Sequence, residues 1–280
     1  MNTAHDDVPP RLQAPSPAAQ PAAAGPALAP IPSPIPVAAI GASGRMGRTV
    51  VQAVEAADDM RLVAAVDVGW TASDLTGPGA RVAVDFTVPT AAESNVHALI
   101  DLGIHAVVGT TGWDSEALAR VRDHVKERAG IGVLVAPNFA LGAVLAMRFA
   151  ALAAPYFDSA EVIELHHPAK VDAPSGTAQH TAQGIAAARA AAGLGPVPDA
   201  TSSGMPGARG AVVDGIHIHS VRSRGLTAHE EIVFGNPGEQ LTIRHDSFDR
   251  TSFMPGVLLA VRKVPTHPGL TVGLASYLGD

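Results

Sequence analysis

The residues best equipped for chemistry fall in one run: Glu164-Leu165-His166-His167-Pro168-Ala169-Lys170-Val171-Asp172-Ala173-Pro174-Ser175-Gly176-Thr177. A histidine titrates near neutrality and carries a proton in either direction. A lysine is a cation that also gives up a proton where its surroundings depress its pKa. The Ser175-Gly176-Thr177 turn opens an Ala-rich segment, and a helix start there directs free backbone N–H groups towards an anion. Proton donors beside an anion cradle suit a small substrate bearing carboxylates. A histidine at a strand end is more often structural than catalytic. Two adjacent histidines and a lysine cannot all be buried easily, which favours the functional reading.

A second constellation is Gly41-Ala42-Ser43-Gly44-Arg45-Met46-Gly47, between an apolar run and a helical segment. Such glycines permit a tight turn and close approach of a pyrophosphate to the backbone, with the helix N-terminus facing the anion. Asp67 lies 20 residues past Gly47, at the end of the next apolar run. An acid there accepts a hydrogen bond from an adenosine ribose hydroxyl. The spacing is G-x-x-G-x-x-G rather than the commoner G-x-G-x-x-G. It is weak alone, but strand, helix and distal acid in register make it a dinucleotide site. Val68 stands where an arginine would grip a 2′-phosphate, which leans towards NADH, while Arg45 leaves NADPH open. The loops Gly109-Thr110-Thr111-Gly112 and Ala136-Pro137-Asn138-Phe139 also follow apolar runs, where an open α/β sheet binds its ligands.

These loops need strands to carry them. Short apolar runs at Val37–Ile40, Leu62–Val66, Val82–Phe86, Ala106–Val108 and Val133–Ala136 alternate with helical segments near Arg45–Ala57, Ala91–Leu102 and Ser115–Ala129. That pattern predicts an α/β fold with a parallel sheet covered on both faces. The stretch from Arg61 to Arg81 is too short for a full crossover helix and is expected to hold an irregular connection. Beyond Asn138 the pattern changes to helices at Leu141–Ala154 and Thr177–Ala192, and to alternating runs at Glu161–His166, His217–Val221, Glu231–Phe234 and Gln240–His245. This predicts a mixed sheet with one open face. A last helix, Ser252–Lys263, has Pro255 in its first turn.

The chain has 280 residues, 47% hydrophobic, with a formal net charge of −7 and no cysteine. The charge and the lack of a basic run argue against nucleic acid or an anionic membrane as partner. No apolar stretch is long enough to span a membrane: Ile131–Met147 is broken by Pro137-Asn138. The absence of cysteine excludes disulfides and thiol nucleophiles. The first 36 residues hold ten prolines and nine alanines with Arg11 as their one Lys or Arg. They read as a disordered tail, or as a start assigned too early, not as a secretory signal or transit peptide. A cytoplasmic location is expected.

Taken together, Gly41–Gly47, Asp85-Phe86-Thr87, Gly109–Gly112, Ala136–Phe139 and above all Glu164–Thr177 resemble the dihydrodipicolinate reductase family of the lysine and diaminopimelate pathway, from about Val37 to the C-terminus. The resemblance implies a Rossmann-like dinucleotide-binding domain (37–139 and 250–280) and an α+β domain that binds substrate and builds a homotetramer (140–249). It implies His166 and Lys170 as acid/base groups, with His167, Gly176 and Thr177 holding a cyclic dicarboxylate. It places NADH, NADPH or both against Gly41, Ala42, Ser43, Gly44, Arg45, Met46, Asp67, Gly109, Thr110, Thr111, Ala136, Pro137, Asn138 and Phe139. The implied reaction is reduction of 4-hydroxy-tetrahydrodipicolinate, through dihydrodipicolinate, to tetrahydrodipicolinate with loss of water.

Rival readings are weaker. A catalytically inactive NAD(H)-binding sensor has no need of His166 and Lys170. A semialdehyde dehydrogenase of the thiol type needs a cysteine. His217 and His219 alternate onto one strand face, but without cysteine or a second compact His pair no metal is expected. Trp70 and Trp113 read as packing residues.

Overall fold

A computed structural model describes residues 30–279. Two sheets organise them. Sheet A is parallel, in the order β11-β5-β4-β3-β1-β2, from β1 (Ile35–Ile40), β2 (Met60–Val66), β3 (Val82–Asp85), β4 (His105–Val108), β5 (Gly132–Val135) and β11 (Gly269–Val272). The strand order reverses beside β1, between its two neighbours β2 and β3, the switch point at which open α/β sheets bind ligands. Sheet B runs β10-β9-β6-β8-β7, from β6 (Ser159–His166), β7 (Ala211–Val213), β8 (Ile216–Arg222), β9 (Ala228–Asn236) and β10 (Glu239–Ser247). Its β6–β8 pair is parallel and the others are antiparallel.

Apolar spacing explains the layers. On α1 (Arg45–Glu55) the buried residues are Gly47, Val50 and Val54, one stripe facing sheet A. On its other side α3 (Pro89–Asp101) presents Ala92, Val96 and Leu99, and α4 (Ser115–Lys126) presents Ala117, Val121 and Val125. Asp114 caps α4, its carboxylate accepting the Ala117 N–H at 2.7 Å. Both faces of sheet A are thus covered, as its near-continuously buried strands require. Sheet B packs one face against α5 (Leu141–Ala153) and α6 (Gly176–Ala191), around Val162, Ile218, Ile232 and Phe234. The helix α7 (Met254–Lys263) returns to pack against α1 and sheet A. Among the described residues no helix is long and apolar enough to cross a membrane.

Several elements depart from expectation. The Pro/Ala-rich segment 1–29 lies outside the described residues, but Ile35 and Pro36 already belong to β1, because an edge of regular pairing with Met60 and Arg61 outweighs the proline. The irregular connection before Arg81 contains a one-turn helix, α2 (Ala72–Thr76), closed by a capping box between Thr71 and Asp74. Strands β7 and β11 are additions. Each is three or four residues long beside Gly or Pro, too short to show a period, and each is held by backbone pairing to a neighbour.

The approach of α7 to the end of β5 is close: a Cβ on Gly256 would lie 2.0 Å from the Phe139 carbonyl oxygen, whereas one on Gly184 in α6 meets nothing within 4 Å. Gly256→Ala is expected to destabilise by about 1–3 kcal/mol, as overpacking does. Gly184→Ala should stabilise by about 0.5–1 kcal/mol through helix propensity. Urea unfolding followed by circular dichroism checks both signs.

Candidate active site

The first loop wraps tightly at the end of β1. Gly41 has φ +80°, and the Gly41 and Ala42 N–H groups both donate to the Val66 carbonyl, at 2.8 and 3.1 Å. A Cβ on Gly47 would sit 1.9 Å from the Gly41 carbonyl oxygen, so only glycine lets α1 start this close to the strand. The first N–H groups of α1 lack helical partners and open onto a groove of about 900 Å³ lined by Gly41, Ser43, Gly44, Arg45, Met46 and Asp67. Asp67, at the end of β2, accepts from the Ser43 N–H at 3.1 Å and from its hydroxyl at 2.9 Å. An exposed carboxylate beside a glycine-walled helix start is the donor and acceptor set of a dinucleotide, and the groove fits one. Trp70 and Phe86 also line it. Val68 is fully exposed at the mouth.

A buried carboxylate braces the strand ends. Asp85, fully buried, accepts from the Thr87 N–H at 2.9 Å, the Thr87 hydroxyl at 2.7 Å, the Thr110 hydroxyl at 3.2 Å and the Asn95 amide at 2.7 Å. Asn95 in turn accepts from the Trp70 indole at 3.2 Å. Trp70 is therefore both a packing residue and a wall of the groove. The same network draws Thr110 inward, away from the groove walls, and Gly109 lies against the Phe86 ring.

The second cavity, about 490 Å³, lies where β6 and α6 meet the end of β5. His166, His167, Lys170, Ser175 and Thr177 line it, and so do Pro137 and Asn138. Met46 lines both cavities and marks where they adjoin. Strand alternation puts Glu164 and His166 on one face of β6. Glu164 is fully buried, and His166 Nδ1 lies 2.5 Å from its Oε2. Arg222 on β8 donates to both Glu164 oxygens, at 2.7 and 2.8 Å, and the Ser175 N–H donates at 3.2 Å. Burial alone would push the Glu164 carboxyl up, but the hydrogen bonds from His166 and Arg222 override it and hold it at about 2.

Lys170 Nζ lies 2.7 Å from the Asp172 carboxylate. Burial pushes the Asp172 carboxyl up, and the Lys170 hydrogen bond and charge together with backbone N–H groups outweigh this, keeping it below its ordinary value. Ser175 caps α6 through its hydroxyl, which accepts the Ala178 N–H at 3.2 Å. Thr177 lines the cavity at the helix start, while Gly176 is exposed beside it and its N–H helps to hold down the Asp172 carboxyl. Asn138 joins the two regions: its carbonyl accepts the Ala140 N–H at 2.8 Å and its amide donates to the Thr177 hydroxyl at 3.1 Å.

The structure thus brings His166, His167, Lys170 and Thr177 to one cavity, with Gly176 exposed at the adjoining helix start and not on its wall, and Gly41, Ser43–Met46 and Asp67 to the other. Pro137 and Asn138 stand on the first, while Ala136 and Phe139 are buried behind them and Ala42, Gly109, Thr110 and Thr111 line neither. Sequence spacing gave Glu164 and Asp85 no role of their own and did not single out Arg222 or Glu230. Glu164 had a readable signal, two positions before His166 on the same strand face. Arg222 and Glu230 reach the site only through strand pairing. Among the described residues no group of three or more His, Cys, Asp or Glu side chains is arranged to hold a metal ion.

Glu164 is ionised in the folded protein down to about 2, against about 4.5 unfolded, so its contribution to stability is present above that upper value and is lost as the pH falls between the two. Arg222→Met should raise the folded value and shift this acid limb to higher pH. Urea unfolding as a function of pH reads the shift.

Comparison with known proteins matches this two-part arrangement piece by piece. The family description "Dihydrodipicolinate reductase, N-terminus" matches residues 35–139, and "Dihydrodipicolinate reductase, C-terminus" matches residues 142–278. The 4-hydroxy-tetrahydrodipicolinate reductase of Beutenbergia cavernae is 68% identical over 86% of this chain and 98% of its own. That of Corynebacterium aurimucosum is 58% identical over 87% and 98%. The structure of dipicolinate-bound dihydrodipicolinate reductase from Paenisporosarcina sp. TG-14 superposes with a TM-score of 0.77 at 38% identity, covering 86% of this chain and 98% of that one. With both halves matched in order, and the glycine loop and the His166–Thr177 run each at a cavity, the chain belongs to the dihydrodipicolinate reductase family.

Proposed function

We propose that this chain reduces 4-hydroxy-tetrahydrodipicolinate, with loss of water, to tetrahydrodipicolinate. The observation that carries the proposal is the juxtaposition of His166, Lys170 and the α6 N-terminus in one cavity that adjoins the dinucleotide groove at Met46. Bound NAD(P)H supplies the hydride. The chain's own residues bind, orient and protonate. The Gly176 and Thr177 amides at the start of α6 hold a substrate carboxylate, and Lys170 and His167 add charge and a hydrogen-bond donor. Glu164 engages Nδ1 of His166, which fixes the ring and leaves Nε2 for the cavity. His166 through Nε2, or Lys170 through Nζ, delivers the proton that the reduced ring takes up. Asn138 keeps the carboxylate-binding turn in register with the strand end beside the groove.

NADH is the favoured donor. Asp67 suits a free ribose hydroxyl pair and repels a 2′-phosphate, and Val68 offers the phosphate no cation. NADPH use rests on Arg45 at the start of α1. The proposed assembly is a homotetramer in the cytoplasm.

Three outcomes test these assignments. NADH absorbance should fall when substrate is generated in situ from pyruvate and aspartate semialdehyde; tight NADH binding without turnover would return the sensor reading. His166→Gln and Lys170→Ala should each lower kcat by about 10²–10⁴, the range for loss of a general acid. If both keep near-normal kcat, the roles are misassigned. Arg45→Ala should raise KM for NADPH about tenfold, the loss of one charge-assisted hydrogen bond, and leave KM for NADH nearly unchanged.

A further inference from the structure

We infer that Glu230 is a substrate-binding residue of this cavity, which as a neutral carboxyl admits a dicarboxylate and once ionised repels it. The inference rests on the function proposed above. Glu230 lies on β9 directly opposite Glu164 on β6 and opposite His245 on β10, so the three form one row across sheet B. The row occupies the face that continues into the core through Val162 and Ile232. Glu230 is only 7% exposed, yet it lines the cavity beside His166, Lys170 and Thr177. Its Oε1 is buried with no hydrogen-bond partner.

The charges around it leave Glu230 without a dedicated counterion. From β6 it faces Glu164 and His166, and from β8 Arg222, which are bound to one another. From β10 it faces His245, whose own burial disfavours its charged form. From the turn before α6 come His167 and Lys170, the latter paired with Asp172. The neighbouring Thr181 on α6 gives a hydroxyl contact. The one charged residue of α5, Arg148, donates instead to the Gly279 carbonyl. Burial pushes the Glu230 carboxyl up, the Thr181 hydrogen bond opposes this, and the Glu164 charge adds to it, leaving it at about 7. Two carboxyl groups so placed do not ionise together readily: Glu164, with its cations, takes the charge, and Glu230 keeps the proton.

A neutral carboxyl at this wall is a hydrogen-bond donor towards an incoming carboxylate. An ionised one sets a second negative charge beside the anion cradle, in a setting of low dielectric where repulsion is strong. Substrate binding and Glu230 protonation are therefore linked, and affinity falls as the pH rises through neutrality.

The test measures dipicolinate affinity by calorimetry on the full-length enzyme saturated with NADH, from below to above neutrality. KM and kcat for the in situ substrate are recorded in parallel. Wild-type Kd and KM should rise about tenfold on the alkaline side, equivalent to one pKa unit of coupling. Glu230→Gln, a permanent neutral isostere, should hold the low Kd and KM throughout, and the wild-type alkaline rise should show in Kd and KM and not in kcat. A flat wild-type affinity profile overturns the inference without any variant. Superimposable wild-type and E230Q curves overturn it too, by assigning the pH dependence to His166 or His167. Wild-type enzyme that binds NADH and dipicolinate without turnover would overturn the proposed function instead.

Discussion

Most of the proposed substrate site hangs on one buried carboxylate. Glu164 is fully enclosed and ionised, which costs several kcal/mol of desolvation unless partners surround it. The partners it recruits are the parts of the site. Arg222 ties β8 to β6, His166 takes its ring orientation from Oε2, and the Ser175 N–H fixes the turn that starts α6. Arg222 also donates to the Asp172 carbonyl at 2.8 Å, which draws in the loop that carries Lys170. A single charge thus positions the proposed proton donor, the proposed carboxylate cradle and the loop between them.

Asp85 serves the other cavity in the same way. It too is a fully buried carboxylate at a strand end, but its partners are neutral: two threonines, an asparagine and a backbone amide. It braces the wall of the dinucleotide groove through Asn95 and Trp70. The two frameworks meet at Asn138 and Met46. Asn138 spans from the end of β5 to Thr177 and so ties the strand end of sheet A to the start of α6.

How much of this could be read from residues alone follows from the range of each interaction. The strands of sheet A from β1 to β5 were legible because each is a continuous apolar run, and α1 because its glycines and apolar stripe are local. The His166–Thr177 run was legible because its chemistry lies within fourteen residues. Strands β7 and β11 were not legible, since backbone pairing across long sequence distances defines them more than side-chain pattern does. Arg222 is 58 positions from Glu164, and Glu230 is farther still. Their roles depend on strand register, and a slip of one residue would turn either side chain to the other face of sheet B. The resemblance to a family supplied roles for His166 and Lys170 that spacing alone left open between proton transfer and structure.

The row Glu164–Glu230–His245 shows why register matters more than composition here. A buried pair of carboxyls is unfavourable if both are charged, and apolar residues at Glu230 and His245 would extend the core seen at Ile232 and Ile243. The fold instead carries polar groups to the cavity end of the sheet and hydrocarbon to the other. Glu164 spends its charge on Arg222 and His166, leaving no cation committed to its neighbour across the strand. The protonation state of Glu230 is thereby set by the strength of the Glu164 cluster. A change that removed a cation from that cluster would leave the Glu164 charge less compensated, add to the repulsion on Glu230 and hold its proton more tightly. The architecture of the proposed proton donor and the electrostatics of the proposed anion site are in this sense one construction, read out on two adjacent strands.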